Sequence, residues 1–136
     1  MKFREVTFTD SSFPDSNPNP SCPLDSAHSY QRVDVGIVEG DLQGTITACL
    51  QFGEGLVPQA SGPFEIVTED VTWTGHFQAF VATGPAGALA TGEFFGDGTD
   101  GTKLRGTFSQ FQIGNPSQGL PDKFLDRAII IEPLSH

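Results

Sequence analysis

The chain has 136 residues, enough to bury one hydrophobic core and too few for two ordinary domains, so a single domain over residues 1–136 is expected. Twelve Phe and 16 Gly set against one Met favour β-strands over helices, because aromatic side chains pack well on a pleated sheet. The balance of 17 acidic to seven basic residues, a net charge of −10, argues against nucleic acid and anionic membranes as partners.

The first half of the chain predicts three strands and one long loop. Residues 2–9 form the first predicted strand. Residues 10–29 are dense in Ser, Pro, Asp and Asn, which interrupt a β-ladder, and they predict a long irregular loop. Residues 30–40 and 41–52 predict two strands of a hairpin, because Gly40 and Asp41 tolerate the positive φ of a tight turn.

Cys22 and Cys49 are candidates for a disulfide. Within residues 42–52 apolar side chains alternate with polar ones, and Cys49 falls in the polar phase. A disulfide to Cys22 would tie the long loop to this strand and favour a secreted protein, whereas two unrelated thiols would suit a cytoplasmic one. No apolar run reaches the roughly 18 residues of a membrane span. The N-terminus, MKFREVTF, lacks the apolar segment of a signal peptide, so a secreted form would have lost its leader.

The second half of the chain predicts strands at hairpin spacing. Residues 53–63 predict a loop, and residues 64–81 alternate as one bent strand or two, since Gly75 interrupts them. Residues 89–95, 102–113 and 123–132 predict the last three strands. No segment keeps the period of an amphipathic helix, so helix is expected only in short turns.

The segment GDGTDG at 96–101 matches the dinucleotide-binding pattern G-x-G-x-x-G. That function requires a helix directly after the glycines, because the helix N-terminus holds the pyrophosphate. The residues that follow, TKLRGTFSQF, alternate like a strand, and Asp97 and Asp100 would repel phosphate groups. We therefore predict a β-hairpin here and no nucleotide cofactor.

The tripeptide G-x-F occurs four times and predicts a curved sheet. Gly and Phe two residues apart lie on one face of a strand, so the ring can cover the glycine where the sheet bends. Repeated bending predicts an all-β fold whose antiparallel strands close into an eight-stranded barrel, with a β-sandwich as the alternative. The four copies begin at Gly62, Gly75, Gly92 and Gly106.

Three segments of the chain, TWTGHF, TGEFFGDG and KLRGTFS, resemble strands of the bacterial allene oxide cyclase-like barrels. In that group a G-x-F strand enters a Gly-rich hairpin, and the next strand carries a Leu-x-Gly like that of residues 104–106. The resemblance covers residues 71–111. It implies a small closed barrel whose lumen holds an apolar or amphipathic molecule, which in several such barrels is folded into a shape that cyclises.

Polar residues in phase with large apolar ones are candidate site residues, since they line a cavity or are hydrogen-bonded in the core. Glu69 shares the phase of Val67 and Trp73, and Glu93 shares that of Phe95. Desolvation would disfavour the charged form of such carboxyls, which makes Glu69 and Glu93 candidate catalytic acids; simple solvation is the alternative. The candidate ligand-binding residues are Tyr30, Trp73, Phe77, Phe95, Phe108 and Gln110.

Three classes of function stay open for this sequence. The lumen could serve a cyclase or isomerase, a carrier without chemistry could use the same cavity, or a packed barrel could have a structural or interaction role. The expected partner is an apolar or amphipathic small molecule, and the expected assembly is a monomer or small homo-oligomer. His28, His76 and His136 are too scattered for a metal site, so no metal or other cofactor is expected.

Overall fold

The computed structural model describes residues 3–12, 22–24, 30, 32–40, 42–53, 59–80, 90–112 and 123–134, with side chains described for 22–24, 30, 32–40, 42–53, 59–80 and 90–111. These residues form strands and turns, and none of them is helical. The all-β prediction is therefore confirmed. The strands are β1 (Phe3–Ser12), β2 (Arg32–Gly40), β3 (Gly44–Gly53), β4 (Gln59–Thr68), β5 (Thr72–Phe80), β6 (Ala90–Gly98), β7 (Lys103–Gln112) and β8 (Lys123–Leu134).

Strands β2 to β7 form one curled antiparallel sheet in which each strand pairs with the next along the chain. Strand β1 lies beside β2, and β8 lies beside β7. The curl gives the sheet a concave and a convex face, and successive side chains of each strand point to opposite faces.

Two predicted loop boundaries are wrong. Residues 10–12 continue β1, and residues 59–63 form the first half of β4. Gly62 and Pro63 suggested a turn, but a Cβ at Gly62 would overlap the backbone carbonyl of Cys49. The glycine is thus needed where β4 passes close to β3. Apart from residues 10–12 and 22–24, the predicted loop at 10–29 lies outside the described residues.

Residues 64–80 belong to two strands, which answers the question left open by the sequence. The backbone N–H of Thr68 donates to the carbonyl of Val71 at 2.9 Å and closes a tight turn. The Thr68 hydroxyl donates to the same carbonyl at 2.6 Å. Gly75 lies inside β5 and does not end a strand.

The GDGTDG segment is a β-hairpin, as predicted. The N–H of Gly98 donates to the carbonyl of Thr102 at 2.8 Å, and Gly101 adopts a φ of 85°, which glycine tolerates best. Asp100 Oδ1 accepts the Thr102 hydroxyl at 2.6 Å and the Thr102 backbone N–H at 3.1 Å. These hydrogen bonds, the hydroxyl first, lower the pKa of the Asp100 carboxyl.

The concave face carries the main hydrophobic core. Phe64 and Phe94 meet edge to face with their ring centroids 6.0 Å apart, and Phe108 packs against the cluster from β7. The buried members are Val38, Ile46, Leu50, Ala60, Phe64, Ile66, Trp73, Phe77, Phe94 and Leu104.

A smaller cluster, which we call the disulfide cluster, lies on the convex face, where residues 22–24 cover β2 and β3. Cys22 and Cys49 form the predicted disulfide, with their Cα atoms 6.1 Å apart. Val33, which pairs with Cys49 in the β2–β3 register, and Tyr30 complete the cluster. Cys49 is 0% exposed although it lies in the polar phase of its strand, because the disulfide-linked segment covers it.

Candidate functional site

The two ends of the sheet differ in the length of their connections. At the short-turn end, strands are joined by residues 41–43, 69–71 and 99–102. At the opposite end, which we call the long-connection end, the joining segments are 13–31, 54–58, 81–89 and 113–122. Binding residues commonly cluster where long connections meet a rigid scaffold, so a binding site is expected at the long-connection end.

Three polar residues meet on the concave face near the long-connection end. Arg32 opens β2, Asp34 follows on the same face, and Gln110 lies near the end of β7. Arg32 Nη2 donates to Asp34 Oδ2 at 2.8 Å and to Gln110 Oε1 at 3.1 Å. We call these three residues the polar cluster.

The polar cluster joins strands at opposite edges of the six-stranded sheet. Arg32 and Gln110 are 78 residues apart in sequence, and β2 and β7 are separated by four intervening strands along the sheet. Their hydrogen bond therefore crosses the concave face, and the curl of the sheet brings its two edges within reach of one side chain.

The polar cluster is shielded from solvent to different degrees. The Asp34 side chain is 2% exposed and the Arg32 side chain is 15% exposed, so the guanidinium is the more accessible partner of this ion pair. Gln110 is also buried. Buried polar groups are stabilised by hydrogen bonds, and Arg32 Nη2 supplies one to Asp34 Oδ2 and one to Gln110 Oε1.

Aromatic rings border the polar cluster. The Arg32 guanidinium carbon lies 5.8 Å from the ring centroid of Phe52, close enough for a cation–π contact. Phe108 precedes Gln110 by two residues on the same face, and its ring centroid lies 6.1 Å from that of Phe77 and 6.3 Å from that of Phe94. We call Phe64, Phe77, Phe94 and Phe108 the aromatic wall.

Four of the predicted ligand-binding residues lie on the concave face. Phe77 and Phe108 belong to the aromatic wall, and Gln110 belongs to the polar cluster. Trp73 is buried in the same core but follows the 69–71 turn, so it lies at the short-turn end. The concave face thus brings together Phe77, Phe108 and Gln110, with Trp73 at the far end of the same core.

Tyr30 and Phe95 do not lie on the concave face. Tyr30 is buried in the disulfide cluster, and Phe95 is 56% exposed on the convex face. Both residues line a shallow depression of about 360 Å³, and Phe77 of the aromatic wall also borders it. The other lining residues are Gln51, Ser61, Gly62, Pro63, His76 and Gln78. Phe94 and Phe95 are adjacent in sequence, so either ring could be the inward one; Phe94 is buried, and a ligand-binding role for Phe95 stays a prediction.

Glu69 and Glu93 are both exposed, which agrees with the alternative that they are simply solvated. Glu69 lies in the turn between β4 and β5, which resets the alternation: Val67 is exposed whereas Trp73 is buried. Glu93 lies on the convex face with Phe95. A catalytic role for either carboxylate stays a prediction, and their placement gives it no support.

Arg32 and Asp34 were not identified from the sequence. In β2 the alternating apolar residues Val33, Val35 and Ile37 favour the wrong face, and the structure leaves Val35 and Ile37 exposed. The available signal was charge pairing, because opposite charges two residues apart in a strand share a face and neutralise each other.

Comparisons with known proteins do not assign the chain to a family. No protein-family model matches the sequence, and no match was found among curated proteins or solved structures. Within the described residues, no three His, Cys, Asp or Glu side chains are grouped to hold a metal ion. The same residues include no helix long and apolar enough to cross a membrane.

Proposed function

We propose that the protein is a closed eight-stranded β-barrel that binds an amphipathic small molecule in its interior, entered from the long-connection end. Closure is supported by the backbone register of the first strand against the last, from Phe3 opposite Ile131 to Ser11 opposite Lys123. Closing the sheet also removes its hydrogen-bonding edges. The concave face then becomes the wall of the interior.

The observation that carries the proposal is the placement of a shielded polar cluster and an aromatic wall on the same concave face, where Phe108 and Gln110 lie two residues apart on β7. Ligand sites are lined mainly by apolar and aromatic side chains and contain a few polar groups that fix the orientation of the ligand. Here the aromatic wall supplies the apolar surface, and Arg32, Asp34 and Gln110 supply the polar groups. An amphipathic molecule matches this division, with its head at the polar cluster and its tail along Phe108 and Phe77.

Catalysis in such an interior would act by confinement. A flexible chain held along the aromatic wall has fewer conformations to search, which accelerates ring closure without a metal or nucleotide cofactor. We extend the proposal from binding to a cyclase or isomerase activity, which is supported by the resemblance of residues 71–111 to allene oxide cyclase-like barrels. A carrier would use the same geometry, and turnover of a bound molecule distinguishes the two.

The disulfide supports a place of action outside the reducing cytoplasm. Disulfides form and persist in oxidising compartments, and the bonded cysteines Cys22 and Cys49 are both buried. We therefore include export in the proposal.

The test uses Nile red, an uncharged lipophilic dye that fluoresces when it leaves water. We expect the purified protein to bind the dye and Phe108→Ala to raise its Kd by about tenfold, because Phe108 packs against Phe77 and lies on the same face of β7 as Gln110. The matched control is Phe95→Ala, the same substitution on the convex face of the neighbouring strand, which should leave the Kd unchanged.

The same measurement separates the proposal from a packed barrel with a structural role. The edge-to-face contacts among the four rings of the aromatic wall favour that alternative, because they already fill part of the concave face. If the folded protein does not bind Nile red, or if both Phe variants bind it as the unmodified chain does, the interior is packed and the binding proposal is wrong.

A further inference from the structure

We infer that the interior site selects amphipathic molecules whose head group is uncharged, such as an alcohol, a ketone or an amide, over molecules that carry a carboxylate. This inference rests on the proposed binding function and adds the chemical class of the ligand. It follows from the charges and hydrogen bonds of the polar cluster.

The polar cluster is electrically neutral. Arg32 carries its one positive charge, and Asp34 accepts a hydrogen bond from that guanidinium at 2.8 Å. Gln110, the third member, is uncharged and accepts from the same Nη2 atom at 3.1 Å. The positive charge that would attract an anionic head is thus already compensated by a carboxylate that is 2% exposed.

A second carboxylate at this position would be unfavourable. It would share one guanidinium with Asp34, and both anions would lose hydration in a partly enclosed space. The chain as a whole has a net charge of −10, which adds long-range repulsion against an approaching anion. The loss of hydration and the long-range repulsion both weaken the binding of a carboxylate.

An uncharged head group avoids this competition. Arg32 is the most exposed member of the polar cluster, so a molecule that enters from the long-connection end meets it first. A hydroxyl or carbonyl oxygen is a hydrogen-bond acceptor without a formal negative charge, so it does not compete with the Asp34 carboxylate for the positive charge of the guanidinium. The apolar part of the molecule then faces Phe108 beside Gln110.

The experiment measures displacement of Nile red by decanol and by decanoate at neutral pH, which share chain length and differ in head-group charge. The deciding quantity is the ratio of their Kd values in the unmodified protein and in Asp34→Asn. Since both proteins see the same two molecules, the difference in their solubility cancels from this comparison. We expect decanol to bind more tightly to the unmodified protein, and Asp34→Asn to shift the ratio by about tenfold toward decanoate, because the carboxylate that pairs with the guanidinium is removed.

A second variant keeps the test decisive if Asp34→Asn does not fold. Arg32→Gln removes the cation and keeps the carboxylate, so it should shift the ratio further toward decanol. If decanoate binds the unmodified protein as tightly as decanol, or if the foldable variants leave the ratio unchanged, the inference is wrong while the binding function stands. If neither molecule nor Nile red binds, the proposed function itself is wrong and the inference is lost with it.

Discussion

The two ends of the sheet are held together by different kinds of contact. At the short-turn end, the bonds are local: Thr68 contacts Val71 three residues away, and Asp100 contacts Thr102 two residues away. At the long-connection end they are remote. The disulfide joins cysteines 27 residues apart, and the hydrogen bond from Arg32 reaches Gln110 across 78 residues.

This difference separates what shapes the sheet from what builds the candidate site. Hydrogen bonds between residues close in sequence set the turns and the register of adjacent strands, and they form together with the hairpin. Remote bonds exist only after the whole sheet has curled. The candidate site is therefore a product of the complete fold, and we expect substitutions at the long-connection end to cost more than those at the short-turn end.

The largest effect is expected from the disulfide. Replacing Cys22 and Cys49 with serine should lower the free energy of unfolding by about 3.5 kcal/mol, because the unfolded chain regains the freedom of a loop of this size. Urea denaturation of the double variant, compared with the unmodified protein before and after reduction, measures the change. Equal midpoints for the oxidised and reduced protein would mean that the disulfide cluster is stable without the covalent link.

The next effect concerns the buried ion pair. Asp34→Ala removes the carboxylate beside the Arg32 guanidinium and should cost about 3 kcal/mol, because the charge stays in a shielded position. Replacing Arg32 and Asp34 together with leucine should recover part of this loss, since two apolar side chains need no pairing. A double-mutant cycle of Arg32→Leu, Asp34→Leu and the double leucine variant, from denaturation curves, measures the coupling. If the two single losses simply add to the double loss, the pair contributes no coupling.

The same contrast explains how far the sequence predicts this molecule. The hairpin at 96–101 and the strand alternation around it were predicted correctly, because Asp-Gly pairs and period-2 patterns act locally. The disulfide was predicted from the polar phase of Cys49, which is also a local property. Strand ends were less predictable: Gly62 and Pro63 suggested a loop, and only the close approach of Cys49 from the neighbouring strand shows why glycine is needed.

The candidate site was predicted only in part. Gln110, Phe77 and Phe108 were chosen by their phase within one strand, and they lie on the concave face. The alternation of apolar residues does not predict the position of Glu69, because Glu69 lies in the turn between β4 and β5, where the alternation is interrupted. Arg32 and Asp34 were missed because the charge pair within β2 does not reveal its third member: their role depends on Gln110, a residue on the far edge of the sheet.

The smallest effect is expected at the short-turn end and depends on pH. Hydrogen bonds from Thr102 lower the pKa of Asp100 from its ordinary value of 3.8. Because the folded pKa lies below the unfolded one, Asp100 stabilises the fold above pH 3.8, and this contribution is lost as the pH falls through the lowered folded value.

Asp100→Asn should therefore lose stability at neutral pH and lose less of it on acidification than the unmodified protein does. Denaturation curves from about pH 6 down to about pH 2 would follow the difference between the two proteins, which should stay level at the upper end and shrink once the pH falls below 3.8. A difference that stays constant over this range would mean that the Thr102 bonds hold the turn whether or not Asp100 is charged. The turn would then depend on the geometry of these bonds, whereas the polar cluster at the other end depends on its charges.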